Sequence, residues 1–259
     1  MKLEYTLLDP SKNMTVLVST PLPAAQQPAA AAHIMSVEPT AEQVGFLSGG
    51  GECDIALRMA GGEFCGNATM SAAVLFCEEN GISEGEVTVC ISGSSKPLTV
   101  AVRRTGNAYR GTVEMPKPRE MRLVPLPMGE DDFSLPVVFF EGIAHIISQQ
   151  PMDKQTAESA VKRWCELLKT DALGLMLLDR EICKITPLVY VPAADTIFWE
   201  QSCASGTAAV GAWLAKECGA AVDLCFTEPG SALSIYAAPD MTLRLTGTVN
   251  IVSKNSIEI

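Results

Sequence analysis

The chain has 259 residues, 47% hydrophobic and 19% charged. That suits one large domain or two of about 130 residues with a substantial core. Its 30 Asp and Glu against 19 Lys and Arg give a net charge of −11, which disfavours nucleic acid and anionic membranes as partners. No apolar run approaches the about 18–20 residues of a membrane span, and the N-terminus lacks the pattern of a secretion signal, so a cytoplasmic protein is expected.

Residues 3–8 and 14–19 read as strands around a turn at Asp9-Pro10-Ser11. The small, alanine-rich stretch 26–36 reads as a helix, and 42–48 and 53–59 as strands. At Gly66 the period changes: Met70, Ala73, Val74 and Cys77 fall on one helical face, and Gly81 stands where a helix would be capped. Strands follow at 87–91, 97–103 and 108–115, and Pro116 and Pro118 mark an internal boundary. The second half opens with a proline-rich connection at 124–127, then apolar strands at 137–140 and 143–147. Residues 153–169 predict an amphipathic helix with Ala160, Val161, Trp164, Leu167 and Leu168 on one face. Strands at 173–179, 188–191 and 197–200 lead to a helix over 208–217 capped by Gly219. Strands at 222–227, 231–237 and 241–252 complete the chain.

Nine cysteines are spread along the chain, and none forms a Cys-x-x-Cys pair, which argues against a zinc ribbon or a thioredoxin-like motif. The odd count and an expected reducing compartment argue against a disulfide framework. Most read as small buried apolar residues. Two stand apart. Cys65, in Glu63-Phe64-Cys65-Gly66-Asn67-Ala68-Thr69, and Cys203, in Glu200-Gln201-Ser202-Cys203-Ala204-Ser205-Gly206-Thr207, each sit where a strand pattern stops and a helix pattern starts. Cys203 follows Cys65 by 138 residues, and Gly219 follows Gly81 by the same 138, as Thr207 follows Thr69. Each helix leads into strand, turn, strand and then Gly-Thr-Val. The pattern points to an internal duplication, with one half over 1–118, joined by the strand 249–259, and the other over 119–248. A pseudo-two-fold would set equivalent points face to face across a cleft, and these points are helix N-termini that begin with cysteine.

A helix N-terminus carries unsatisfied N–H groups and a positive dipole end. It favours a thiolate and binds carboxylates, and the small residues after each cysteine leave the backbone open to a ligand. Two such ends gripping one α-carboxylate would suit proton removal from one face of the adjacent carbon and proton delivery to the other. Neither a pyridoxal cofactor nor a metal is required, so none is expected.

Glu-x-Cys-Gly-Asn followed by a second Cys-x-Ser-Gly-Thr resembles the diaminopimelate epimerase superfamily. The stretches Lys12-Asn13-Met14-Thr15-Val16-Leu17-Val18, Glu42-Gln43-Val44-Gly45-Phe46, 63–71, 188–192 and 199–211 are most similar to the histidine racemases of opine-metallophore pathways. The resemblance implies an α+β fold of two pseudo-symmetric halves, each a β-barrel-like sheet around a central helix. It implies an amino-acid substrate, no cofactor and a homodimer. Gln201 departs from the arginine that holds the distal carboxylate of diaminopimelate, and a neutral amide cannot replace a bidentate guanidinium. Gly142-Ile143-Ala144-His145 keeps the histidine of that family's Gly-Asn-Pro-His and lacks its asparagine. Asn67 stands where proline racemases have histidine.

The expected catalytic groups are Cys65 and Cys203, with Glu200 and His145 beside the cysteines and Glu42 as a pocket carboxylate. The expected substrate-binding residues are Asn13, Gly66, Asn67, Gln201, Ala204, Ser205 and Gly206. Glu63 reads as a surface charge, His33 has no role, Trp164 belongs to the core, and Trp199 is open between pocket and core. The reading is an amino-acid racemase with histidine as the best substrate. Diaminopimelate epimerase or another amino-acid racemase, a silent binding protein on this fold, and a cysteine-nucleophile transferase or hydrolase are the alternatives.

Overall fold

The computed structural model describes residues 1–128, 131–192 and 195–259, and divides into two compact units, Met1–Glu114 with Thr246–Ile259, and Met115–Leu245.

The first unit is a closed barrel. In order around it run β1 (Lys2–Pro10), β2 (Thr15–Val18), β3 (Gln43–Gly49), β4 (Ile55–Met59), β5 (Glu84–Ile91), β6 (Leu98–Thr105), β7 (Ala108–Glu114) and β16 (Leu243–Glu258). β1 pairs with β16, Lys2 opposite Glu258 and Pro10 opposite Val249, which closes the ring and leaves no edge. Helix α2 (Gly66–Glu79) packs against six of these strands. The sequence marks one apolar face, but α2 is buried without a break from Gly66 to Leu75, because a helix at the centre of a barrel has no solvent side. Its small side chains suit that position. Helix α1 (Gln27–Val37) sets Ala30, Ala31 and Ile34 against Leu3, Tyr5, Leu7, Val16, Val18, Val44 and Phe46.

The second unit also packs a sheet against a buried helix. Its strands run β8 (Glu120–Met128), β9 (Asp131–Phe139), β10 (Ala144–Ser148), β11 (Leu173–Asp179), β12 (Lys184–Val191), β14 (Val222–Thr227), β15 (Ala232–Ala237), with β13 (Thr196–Trp199) paired to β12. Helix α4 (Ala204–Cys218) packs on β9, β10, β11, β14 and β15, and ends at Gly219 in the left-handed region, φ 65°. Helix α3 (Lys154–Leu168) covers β8, β11 and β12. The Asp153 carboxylate caps α3 by accepting from the Thr156 amide at 3.0 Å, a bond typically worth about 1 kcal/mol.

Three expectations are corrected. Residues 124–127 form part of β8 rather than a connection, paired residue by residue with β9. Pro125 and Pro127 alternate along a strand at the end of the sheet order, where a missing N–H is tolerated. Leu167 is 55% exposed, and the buried face of α3 is Ala157, Val161, Trp164 and Cys165. A disulfide joins Cys53 to Cys90. The parallel pairing of β4 with β5, Ile55 opposite Val89 and Ala56 opposite Cys90, brings their Cα atoms to 5.9 Å. Among the described residues, no helix is long and apolar enough to cross a membrane.

Candidate active site

Cys65 is the N-cap of α2, with extended backbone at φ −140°, ψ 114°. Its Sγ accepts from the Ala68 amide at 3.4 Å and donates to Gln43 Oε1 at 2.9 Å. Gln43 stands at the start of β3, and its Nε2 donates to Thr15 Oγ1 at 2.8 Å and to Asn13 Oδ1. Asn13 Nδ2 in turn donates to Glu42 Oε2 at 2.8 Å. The expected residues Asn13 and Glu42 are therefore connected to Cys65, and Gln43 makes the connection. Asn13 is buried at the exit of the turn after β1. Partial removal from water raises the Glu42 pKa, hydrogen bonds from Asn13 and Met14 oppose the rise, and the charge of Asp9 adds to it. Gly66 and Asn67 form the buried first turn of α2. Asn67 Oδ1 has no hydrogen-bond partner among the described residues, an unsatisfied acceptor at the N-terminus where a substrate donor would be welcome.

Cys203 is the N-cap of α4, at φ −127°, ψ 101°, the same conformation as Cys65. Thr207 N donates to Cys203 O at 2.9 Å, as Thr69 N does to Cys65 O at 3.0 Å. Ala204, Ser205 and Gly206 form the first turn. The Cys203 thiol is buried, and burial raises its pKa well above the ordinary thiol value. The charges of Glu200 and Glu228 and a hydrogen bond to the Glu200 carboxylate raise it further, while the Gly206 amide opposes them. Glu200 thus reaches the thiol. His145 reaches it through an intermediary: its Nε2 lies 3.0 Å from Ser205 Oγ, which lies 3.7 Å from Cys203 Sγ. His145 is fully buried, and burial lowers its pKa to about 3, so the ring is neutral at physiological pH. Its Nδ1 has no partner among the described residues. Space there is tight, since a Cβ on Gly174 would lie 2.2 Å from His145 Nδ1. Gln201 is exposed, and its carbonyl accepts from Gly230 N at 2.9 Å.

Other readings resolve simply. Glu63 and His33 are exposed. Trp164 is fully buried. Trp199 packs against the core of the second unit and donates to Glu158 at 2.8 Å.

The structure adds two residues to which the sequence assigns no role. Gln43 stands out in sequence only as a neighbour of Glu42. Glu228, before the Pro229-Gly230 turn, resembles any surface glutamate in sequence. It is only 3% exposed. It accepts from the Cys203 amide at 2.6 Å and from the Thr207 hydroxyl. Burial drives its pKa up to about 8 against those two bonds, and the Glu200 charge adds to the rise.

The chain is similar to known proteins over nearly its whole length. The family described as the histidine racemase CntK N-terminal domain matches residues 2–257. A histidine racemase of Fusobacterium nucleatum is 30% identical over 99% of this chain and 97% of its own. One from Staphylococcus aureus is 29% identical over 81% of this chain and 78% of its own. Among solved structures, a phenazine biosynthesis protein of the PhzF family from Bacillus anthracis superposes with a TM-score of 0.70 at 13% identity, covering 100% of both chains. A hydroxyproline epimerase from Agrobacterium vitis does so with a TM-score of 0.67 at 11% identity, over 99% of this chain and 92% of its own. These structures share the fold. The chain belongs to the histidine racemase family and is an isomerase of the racemase and epimerase class.

Proposed function

We propose that the chain interconverts L- and D-histidine by two proton transfers at Cα, with Cys65 and Cys203 as the two acid–base groups. The observation that carries this reading is the repeated N-cap. In each unit a cysteine with the same extended backbone opens a buried helix. Chemistry that needs one base and one acid of the same kind is served by that repetition.

One thiolate takes the Cα proton and the other thiol gives a proton to the opposite face. Negative charge delocalises into the substrate carboxylate, where helix-terminal N–H groups stabilise it. Drawn this way, the reaction uses neither pyridoxal nor a metal. Gln43 and Asn13 hold Cys65, and Glu42 is the carboxylate at the end of that chain of bonds. Glu200 accepts the Cys203 proton when that thiol must act as base. Neutral His145 orients Ser205 beside Cys203. Gly66, Asn67, Ala204, Ser205 and Gly206 offer backbone N–H groups and little bulk, and Asn67 Oδ1 awaits a donor such as the substrate amino group.

Histidine as substrate is supported by the names of the similar enzymes and by Gln201, which supplies no cation for a distal carboxylate. A homodimer and a cytoplasmic setting belong to the same proposal. The first rests on the family resemblance, and the second on the need of two reduced thiols. Incubation with L-histidine under reducing conditions, followed by chiral analysis, tests the substrate: D-histidine should accumulate towards equal amounts. No D-histidine, with another amino acid racemised instead, would overturn it.

A further inference from the structure

The two helix N-termini are built differently around their cysteines. Thr69 and Thr207 occupy equivalent positions, four residues into each motif. The Thr69 hydroxyl donates to its own helix, to Cys65 O at 2.7 Å. The Thr207 hydroxyl donates instead to Glu228. At the end of β5, Ser92 Oγ donates to Glu63 O at 2.8 Å, tying down the loop before Cys65. At the end of β14, the corresponding place holds Glu228, whose second oxygen accepts the Cys203 amide at 2.6 Å. The second N-terminus therefore has a buried carboxyl group built into it, held by the cysteine's own backbone.

We propose that Glu228 is a positioning residue that fixes Cys203 at the start of α4 and, once ionised, holds its Sγ in the protonated form, which extends the acid form of Cys203 into alkaline solution. The inference rests on the two-thiol reading above. A carboxylate on the first N–H groups of a helix offsets the positive dipole end that otherwise favours a thiolate. Among the described residues, the titratable groups that act on Cys203 include Glu200 after β13, Glu228 after β14, and His145 on β10, which acts through Ser205. His145 is neutral over the working range, so beyond burial, which raises the thiol pKa most, the charges acting on Cys203 are those of the two carboxyl groups. Glu228 ionises at about 8. As the pH rises past that value its charge appears beside Cys203 and delays loss of the thiol proton. The acid form thus persists into alkaline solution.

Carbamidomethylation by iodoacetamide, read at Cys203 by peptide mass spectrometry between pH 6 and about 10.5, tests this on the full chain without turnover. Glu228→Gln keeps an acceptor for the Cys203 amide and removes the charge. Its Cys203 labelling curve should move to lower pH. On the rising limb, a curve displaced by a full pH unit labels about tenfold faster. The alkaline limb of racemisation should move the same way. Thr207→Val removes a bond that favours the ionised carboxylate, so Glu228 should ionise later and the Cys203 curve should move the same way by less. Coincident curves for Glu228→Gln and the unaltered protein, or a larger downward displacement in Thr207→Val than in Glu228→Gln, would overturn the proposal. Should Glu228→Gln fail to fold, Glu228→Ser, which also removes the charge, is read by the same criterion: a curve moved to lower pH supports the proposal, and a coincident one overturns it. Because labelling reads no racemisation, loss of the two-thiol reading and loss of this inference give different results.

Discussion

The Cys65 thiol donates to the side-chain oxygen of Gln43 at 2.9 Å, and the same amide's nitrogen binds Asn13 and Thr15. Gln43 therefore sets the direction of the thiol and the place of Asn13 together. Gln43→Leu keeps the volume and removes every one of these bonds. It should lower kcat/KM by about ten- to a hundredfold. It should also cost about 1–3 kcal/mol of stability, since it strips buried Asn13 of a partner. Steady-state kinetics beside thermal unfolding checks both. Unchanged kcat/KM would show that Gln43 does not position Cys65.

Gly174 lies opposite His145 in the parallel pairing of β10 with β11. A methyl group there would overlap the imidazole, 2.2 Å from Nδ1. Gly174→Ala should displace the ring, break its bond to Ser205 and destabilise the second unit by about 1–3 kcal/mol. Activity should fall about tenfold or more if Ser205 orients Cys203. A variant with full activity and parental unfolding would contradict this account of His145.

His145 also predicts an acid sensitivity. Its folded pKa of about 3 lies below the ordinary 6.5. The neutral ring's contribution is complete above about 6.5 and is lost as pH falls towards 3, because the unfolded chain binds the proton more readily. His145→Gln removes that linkage. Urea unfolding between pH 7 and 4 should show the unaltered protein losing stability relative to the variant, on the order of a few kcal/mol over the window. Parallel stability curves would contradict a buried neutral His145.

Much of the fold was legible because it is local. The helical period from Gly66, the cap at Gly219 and the strand-turn-strand after each helix are short-range signals, and the equal spacing of Cys65–Gly81 and Cys203–Gly219 exposed the duplication. Cys65, Cys203 and Glu200 stand in the same motifs, which is why the sequence singles them out. What stayed hidden depends on long-range pairing. The Pro125 and Pro127 strand is recognisable only once β8 is known to end the sheet order. Cys53 meets Cys90 because β4 lies beside β5, across 37 residues of chain. Glu228 becomes a buried carboxyl only because the end of β14 returns to the start of α4, 25 residues from Cys203. Gln43 was visible as part of a motif, but nothing in its position showed that its amide would meet a thiol.

The central claim is that Cys65 and Cys203 each move a proton at the substrate Cα. Its most direct test follows Cα-proton loss by NMR in D2O, with chiral analysis, for L- and D-histidine under reducing conditions. The unaltered protein should exchange the Cα proton and racemise both enantiomers. Cys65→Ala and Cys203→Ala should each lose racemisation by about a hundredfold or more, the usual worth of a general acid or base. Full racemisation by either variant, or no exchange by the unaltered protein, would contradict the account.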